Sequence, residues 1–169
     1  MPKAQAVRRL EVVAKEKPDI AAFRKLVRGK SGGANAYTTL LGLPSLKTPE
    51  LLKRVASGFP YGVFERFQAN IELSIESLAA LVQIKRRTLA RRKEEGRLTA
   101  EESDRLLRAA RVFGRALALF EGDVDAARNW FATPAPALGN RTPRDLAATE
   151  LGVREVENLL GRLEHGVFP

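Results

Sequence analysis

The chain has 169 residues, no cysteine and one histidine, a length that suits one domain or two small ones and excludes disulfides and thiolate metal sites. With 44% hydrophobic residues it can close a core, yet no apolar run approaches the roughly 18 residues that a membrane span needs. The net charge of +9 is uneven, with 12 Lys and Arg against 4 Asp and Glu in residues 1–57 but 5 against 8 in residues 117–169, a division that fits two different partners, one anionic and one not, and also fits a plainly well-solvated basic protein.

The opening stretch MPKAQAVRRLEVVAKEK lacks the apolar segment and cleavage site of a signal peptide, so the chain reads as cytoplasmic. QAVRRLEVVAKE is helix-prone, with Pro18 as its stop. DIAAFRKLVRG reads as a second helix, with Asp19 as N-cap and Gly29 as stop. KSGGANA is linker-like, which predicts residues 1–36 as a basic, partly flexible arm. In TPELLKRVASG, Thr48 is the expected cap and Pro49 the first helical residue; Gly58 ends the helix. PYGVFERFQANI then offers Val63, Phe64 and Phe67 to a core.

The longest element is expected from Thr99 to Phe120. Thr99 and Glu102 form a capping box, and Leu106, Ala110, Phe113, Leu117 and Phe120 recur at helical spacing. That stripe suits a core or a dimer seam. Three shorter helices follow: DVDAARNWF capped by Asp123, TPRDLAA capped by Thr142 with Gly152 interrupting at its far end, and VREVENLLGRLEHG with Gly166 as C-cap. No segment alternates with period two, so the fold class is all-α.

Residues 74–93, SIESLAALVQIKRRTLARRK, have helix-turn-helix spacing. Ala79 is small where two helices approach, Ile84 is apolar after the turn, and Leu89 anchors the second helix. That helix presents Lys85, Arg86, Arg87, Thr88, Arg91 and Arg92 as candidate DNA-binding residues, because guanidinium forks reach phosphates and guanine edges. Gln83 stands where glycine usually takes a left-handed backbone, and Lys85 where a Ser or Thr cap is usual. A DNA-facing helix and a scaffold helix with solvated or paired arginines both fit the pattern.

Catalysis finds little support. Metal, thiol and serine triad chemistry would all rest on His165 alone, and no glycine-rich phosphate loop is present. The expectation is a non-enzyme with no metal and no cofactor.

The run SGFPYGVFERF, then LAALVQIKRRTLARRKEEGRLTAEESDRLLRAARVF, and finally FEGDVDAARNWFATPAPALGNRTPRDLAATELGVREVENLLGRLEHGVFP resembles the Xre/MbcA/ParS antitoxins over about four-fifths of the chain. The spaced matches are Trp130, Leu138 to Pro143, Thr149 to Gly152, and Gly166 to Phe168. The resemblance implies a helix-turn-helix domain with a dimerisation surface, over residues 37–120, and a small helical toxin-binding domain over 121–169. It further implies a homodimer whose partner is a RES-domain toxin that consumes NAD, and autoregulation through operator DNA. The toxin-binding candidates are Trp130, Arg141, Glu150, His165, Gly166, Val167, Phe168 and Pro169, with the terminal stretch as a plug for the toxin's cleft. Trp130 equally fits plain core filling, Arg141 a cap or ion pair that fixes its turn, and the tail a frayed end. The alternative reading is a stand-alone helix-turn-helix transcriptional regulator whose C-terminal domain only dimerises.

Overall fold

The structure, a computed structural model, describes residues 17–29 and 35–167. The expected helix over QAVRRLEVVAKE, the first five residues of the linker-like stretch (30–34), and Phe168 and Pro169 lie outside the described residues. Among the described residues there are nine α-helices: α1 (Pro18–Arg28), α2 (Thr48–Ser57), α3 (Tyr61–Ile71), α4 (Ile75–Leu81), α5 (Arg86–Glu95), α6 (Ala100–Leu119), α7 (Val124–Ala132), α8 (Pro143–Leu146) and α9 (Glu150–Glu164). Short 3-10 helices occupy Ala36–Leu41 and Pro136–Leu138. The described residues hold no strand, only isolated bridges pairing Pro60 with Arg97 and Ala135 with Arg141. The all-α expectation is met.

Local chemistry sets most helix starts. The Thr99 hydroxyl accepts from the Glu102 amide, and the Glu102 carboxylate accepts from the Thr99 amide, closing the expected capping box. Asp123 and Thr142 accept from the amides of Ala126 and Asp145. Thr48 is the first residue of α2 rather than its cap, a place that falls to Lys47. Both Thr48 and Pro49 sit in the first turn, where a helix has amides to spare.

α6 is the centre of the molecule. Leu106, Ala110, Phe113 and Leu117 are fully buried, and α2, the first 3-10 helix, α7 and α9 pack around it. A single apolar cluster runs from Ile20 to Leu160, so the segments on either side of α6 share one core.

Besides the Thr48 cap, three expectations need correction. The first concerns the arm, because Pro18–Arg28 is a docked helix with Ile20 and Phe23 buried in the shared core. Proline opens it, since its missing amide is harmless at the first helical position. Asp19 is not its cap. Its carboxylate accepts from Arg66 and Asn70 of α3, and the Arg66 bond holds it below its ordinary value despite the opposing effect of burial. Arg24 reaches across to the Gly122 carbonyl at 2.7 Å. The approach of the first 3-10 helix to α6 depends on Gly114, where an added Cβ would lie 2.8 Å from the Cβ of Tyr37; the Phe23 ring of α1, at 3.6 Å, is in ordinary contact there.

The second concerns Gly152, which interrupts nothing. α9 begins at Glu150, capped by the Thr149 hydroxyl accepting from the Gly152 amide at 3.1 Å. Gly152 is buried within the first turn because α8 passes over it: an added Cβ would lie 1.9 Å from the Leu146 carbonyl oxygen. The third concerns Arg92 of α5, whose side chain is tied inward to Glu102.

Candidate functional site

The segment 74–95 folds as two helices joined by a tight turn. The Ser74 hydroxyl accepts from the Ser77 amide and starts α4. Gln83 adopts the left-handed conformation expected at the turn, with φ 54°, and the Ile84 amide donates back to the Ala79 carbonyl at 2.9 Å. Leu78, Ala79, Val82, Ile84 and Leu89 are buried, so apolar contacts fix the angle between α4 and α5. Lys85 is the N-cap of α5 and makes no side-chain capping bond. Its side chain therefore does not close the helix end.

Lys85, Arg86, Arg87 and Arg91 are exposed, and Thr88 is half-buried. Arg86 comes within 3.8 Å of Glu76, and Arg91 within 3.6 Å of Glu95. These pairs are loose and solvent-facing, the kind that contributes little to stability and yields readily to a phosphate. Arg92 is different. Its Nε donates to Glu102 at 2.8 Å and its Nη1 to Glu95 at 2.7 Å, and only 14% of its side chain is exposed. It ties α5 to the capping box of α6 and stands outside the exposed row of cations. Helical spacing cannot separate Arg91 from Arg92; the acidic residue at the start of α6 does.

Burial pushes Glu102 upward, but the Arg92 guanidinium and the Thr99 amide outweigh it and hold the carboxyl below its ordinary value.

The second group of candidates lies beyond α6. Phe131 fills the core, edge-on to Phe113 at 5.6 Å. Trp130 is half-buried at the margin, its ring 6.4 Å from Phe120. The turn between Ala135 and Arg141 is held by backbone bonds, with the Ala135 amide donating to the Arg141 carbonyl and the Asn140 amide to the Ala135 carbonyl. Gly139 and Asn140 supply its left-handed pair, at φ 64° and 59°. Arg141 is exposed, and its guanidinium makes no hydrogen bond or ion pair among the described residues. The turn stands without it.

Glu150 opens α9, close to Arg108 at 3.3 Å and Arg154 at 3.6 Å. His165 follows the last turn, so the full length of a fifteen-residue helix, about 22 Å, separates the two. The candidates thus mark an extended helical face rather than one cleft. At the far end Gly166 has φ 70°; its amide donates to the Leu163 carbonyl, and the Val167 amide to the Arg162 carbonyl. This is a Schellman ending, which fixes the direction in which the chain leaves the helix. His165, Gly166 and Val167 are exposed. Sequence reasoning missed Leu151, 72% exposed beside Glu150. Its signal was an apolar residue lying off the stripe of Val156, Leu159 and Leu160.

Among the described residues no group of His, Asp or Glu could hold a metal ion, and no helix is long and apolar enough to cross a membrane.

Comparison with known proteins gives both halves a counterpart. Residues 50–111 match the Xre-like antitoxin helix-turn-helix domain. Residues 115–166 match the C-terminal toxin-binding domain of the Xre/MbcA/ParS antitoxins. The chain is similar to proteins named Antitoxin Xre from three bacteria. Identity is 39% with that of Yersinia enterocolitica, over 76% of this chain and 87% of the relative. It is 34% with that of Photorhabdus laumondii, over 79% and 91%. It is 30% with that of Pseudomonas putida, over 75% and 79%.

Proposed function

This chain belongs to the Xre antitoxin family, helix-turn-helix antitoxins of toxin–antitoxin systems, and on that premise we propose that it neutralises a RES-domain, NAD-consuming toxin by capping the toxin's active site. The toxin-facing unit is residues 121–169, with Trp130, Arg141, Glu150 and the stretch 165–169 as its contacts. What supports this reading is one observation: the segment matched to a toxin-binding domain presents an exposed helical face that ends in a turn of fixed geometry. Trp130 at the core margin has the exposure of an interface anchor, large and apolar but not consumed by the fold. An acidic C-terminal third suits a toxin cleft lined with cations for a dinucleotide.

The test is co-expression in bacteria with the product of the neighbouring open reading frame. That product alone should arrest growth, and this chain should restore it. A neighbour that is harmless alone, or an arrest this chain cannot relieve, would refute the assignment.

The proposal extends to cytoplasmic autoregulation as a homodimer, with Lys85, Arg86, Arg87, Thr88 and Arg91 meeting operator DNA. One copy offers few cations, so paired copies, or copies gathered on the toxin, gain through effective concentration. Replacing Arg86, Arg87 and Arg91 together by alanine should weaken binding to the promoter duplex by roughly a hundredfold or more. The salt dependence should flatten by about one power per lost phosphate contact. Because all three are exposed, the unfolding midpoint should stay within about 1 °C of the parent, as expected of surface substitutions. Unchanged binding and salt slope would remove α5 as the DNA surface.

A further inference from the structure

α9 is fastened to α6 on its apolar side by Val153, Val156, Leu159 and Leu160, and on its polar margin by two arginines. Arg111 Nε lies 2.8 Å from Glu157 Oε1. One turn further along α6, Arg115 donates from Nη1 to the Glu157 carbonyl at 3.3 Å and from Nη2 to the Glu164 carboxylate at 3.1 Å. The guanidinium therefore spans two turns of α9, from Glu157 to the last helical residue. It passes Gly161, where even an added Cβ would stay 3.7 Å from Nη2.

Glu164 immediately precedes His165, and the Schellman bonds that set the exit of the chain are made to Arg162 and Leu163, its neighbours. The apolar stripe fixes where α9 lies but leaves the rotation of its last turn weakly determined, because Leu163 is only half-buried and Glu164, His165 and Gly166 are exposed. A fork bonded at both Glu157 and Glu164 restrains that rotation, as a single-point contact would not.

We propose that Arg115 is a positioning residue for the tail: through Glu164 it fixes the direction in which residues 165–167 leave α9, and so aims the tail at the toxin. The inference rests on the reading of that stretch as the blocking element. Arg115 touches no toxin in this scheme. Its removal shifts how completely a bound toxin is silenced, more than how tightly the toxin is held.

The experiment uses the full chain with its purified cognate toxin, and measures both the dissociation constant and the NAD-consuming activity that remains at saturating antitoxin. Arg115→Ala should raise the residual activity by about three- to fivefold, the range open to a partly exposed ion pair, while the dissociation constant moves less than about twofold. Glu164→Gln, which keeps the Glu157 bond and the helix, should give a smaller rise in the same direction. The exchange Arg115→Glu with Glu164→Arg should recover part of the silencing. A merely structural role predicts instead a lower unfolding temperature and weaker binding with silencing complete at saturation. Complete silencing by both Arg115→Ala and Glu164→Gln overturns the proposal. A chain shortened by residues 167–169 separates the two layers. If it leaks while the Arg115 and Glu164 variants do not, only the positioning role fails; if it silences fully, the blocking tail fails and the positioning role with it.

Discussion

Gly152→Ala is expected to lower the unfolding temperature by about 6–12 °C, the shift that a loss of about 3 kcal/mol produces in a chain of this length. On helix propensity alone the substitution should help by about 1 kcal/mol, since alanine is the better helix former. The surroundings reverse the sign. The new methyl would sit 1.9 Å from the Leu146 carbonyl oxygen and 2.6 Å from its carbon, and both belong to the backbone of α8. No rotamer change relieves that clash, so α8 and the start of α9 must separate, and Leu138, Ala147 and Val153 lose part of their packing. Gly161→Ala in the same helix is the matched control. Its methyl meets only the end of the Arg115 side chain, at 3.7 Å, so it should leave stability unchanged or raise it by up to about 1 kcal/mol. Thermal unfolding of the two variants side by side checks the pair. An unfolding temperature for Gly152→Ala at or above that of the parent would contradict the close passage of α8.

Arg92→Ala is expected to cost about 3 kcal/mol at neutral pH, because it strands a carboxylate in the interior. The Glu102 side chain is only 6% exposed, and Arg92 is its sole cationic partner among the described residues. The Thr99 amide remains, but one backbone donor does not offset the desolvation of a charge. The loss should depend on pH. Glu102 titrates lower folded than unfolded, so the stability it lends through this pair is fully present above the unfolded value near 4.5. It fades as pH falls through the folded value. Urea unfolding of parent and variant should therefore show a gap that is wide at pH 7 and narrows steadily below about pH 4.5. Were Arg92 a DNA contact instead, its removal would leave stability nearly untouched and flatten the salt dependence of DNA binding. A variant as stable as the parent at pH 7 would sink the strut assignment.

These two sites show where the sequence was legible and where it was not. Short-range grammar read well: the Thr99–Glu102 box, the Asp123 and Thr142 caps and the left-handed Gln83 each depend on neighbours within a few positions. So did the burial of Ile84 and Leu89, which follows from helical spacing. Partnerships across the fold did not read. Asp19 before a helical run has the pattern of a cap, yet its carboxylate is bound 47 residues away by Arg66. A linker-like stretch after α1 suggested an arm, although Ile20 and Phe23 join the core laid down by α6. The glycine at 114, in the middle of the longest helix, was the available sign that something approaches closely. Gly152 has the pattern of punctuation, but its role is close packing. On the outer surface the cations of α5 look alike in sequence, and only the fold divides the exposed Arg91 from the inward Arg92.

The proposed action of residues 165–169 in the toxin's cleft, beyond the mere holding of a partner, is the reading on which the rest depends. It is tested most directly with purified toxin by comparing the full chain and the chain lacking residues 167–169, at concentrations where both are fully bound. The account predicts that the full chain leaves only a trace of NAD consumption while the shortened chain, still bound, leaves a substantial part of it. Equal and complete inhibition by the two would contradict it and leave neutralisation to the remainder of the helical face.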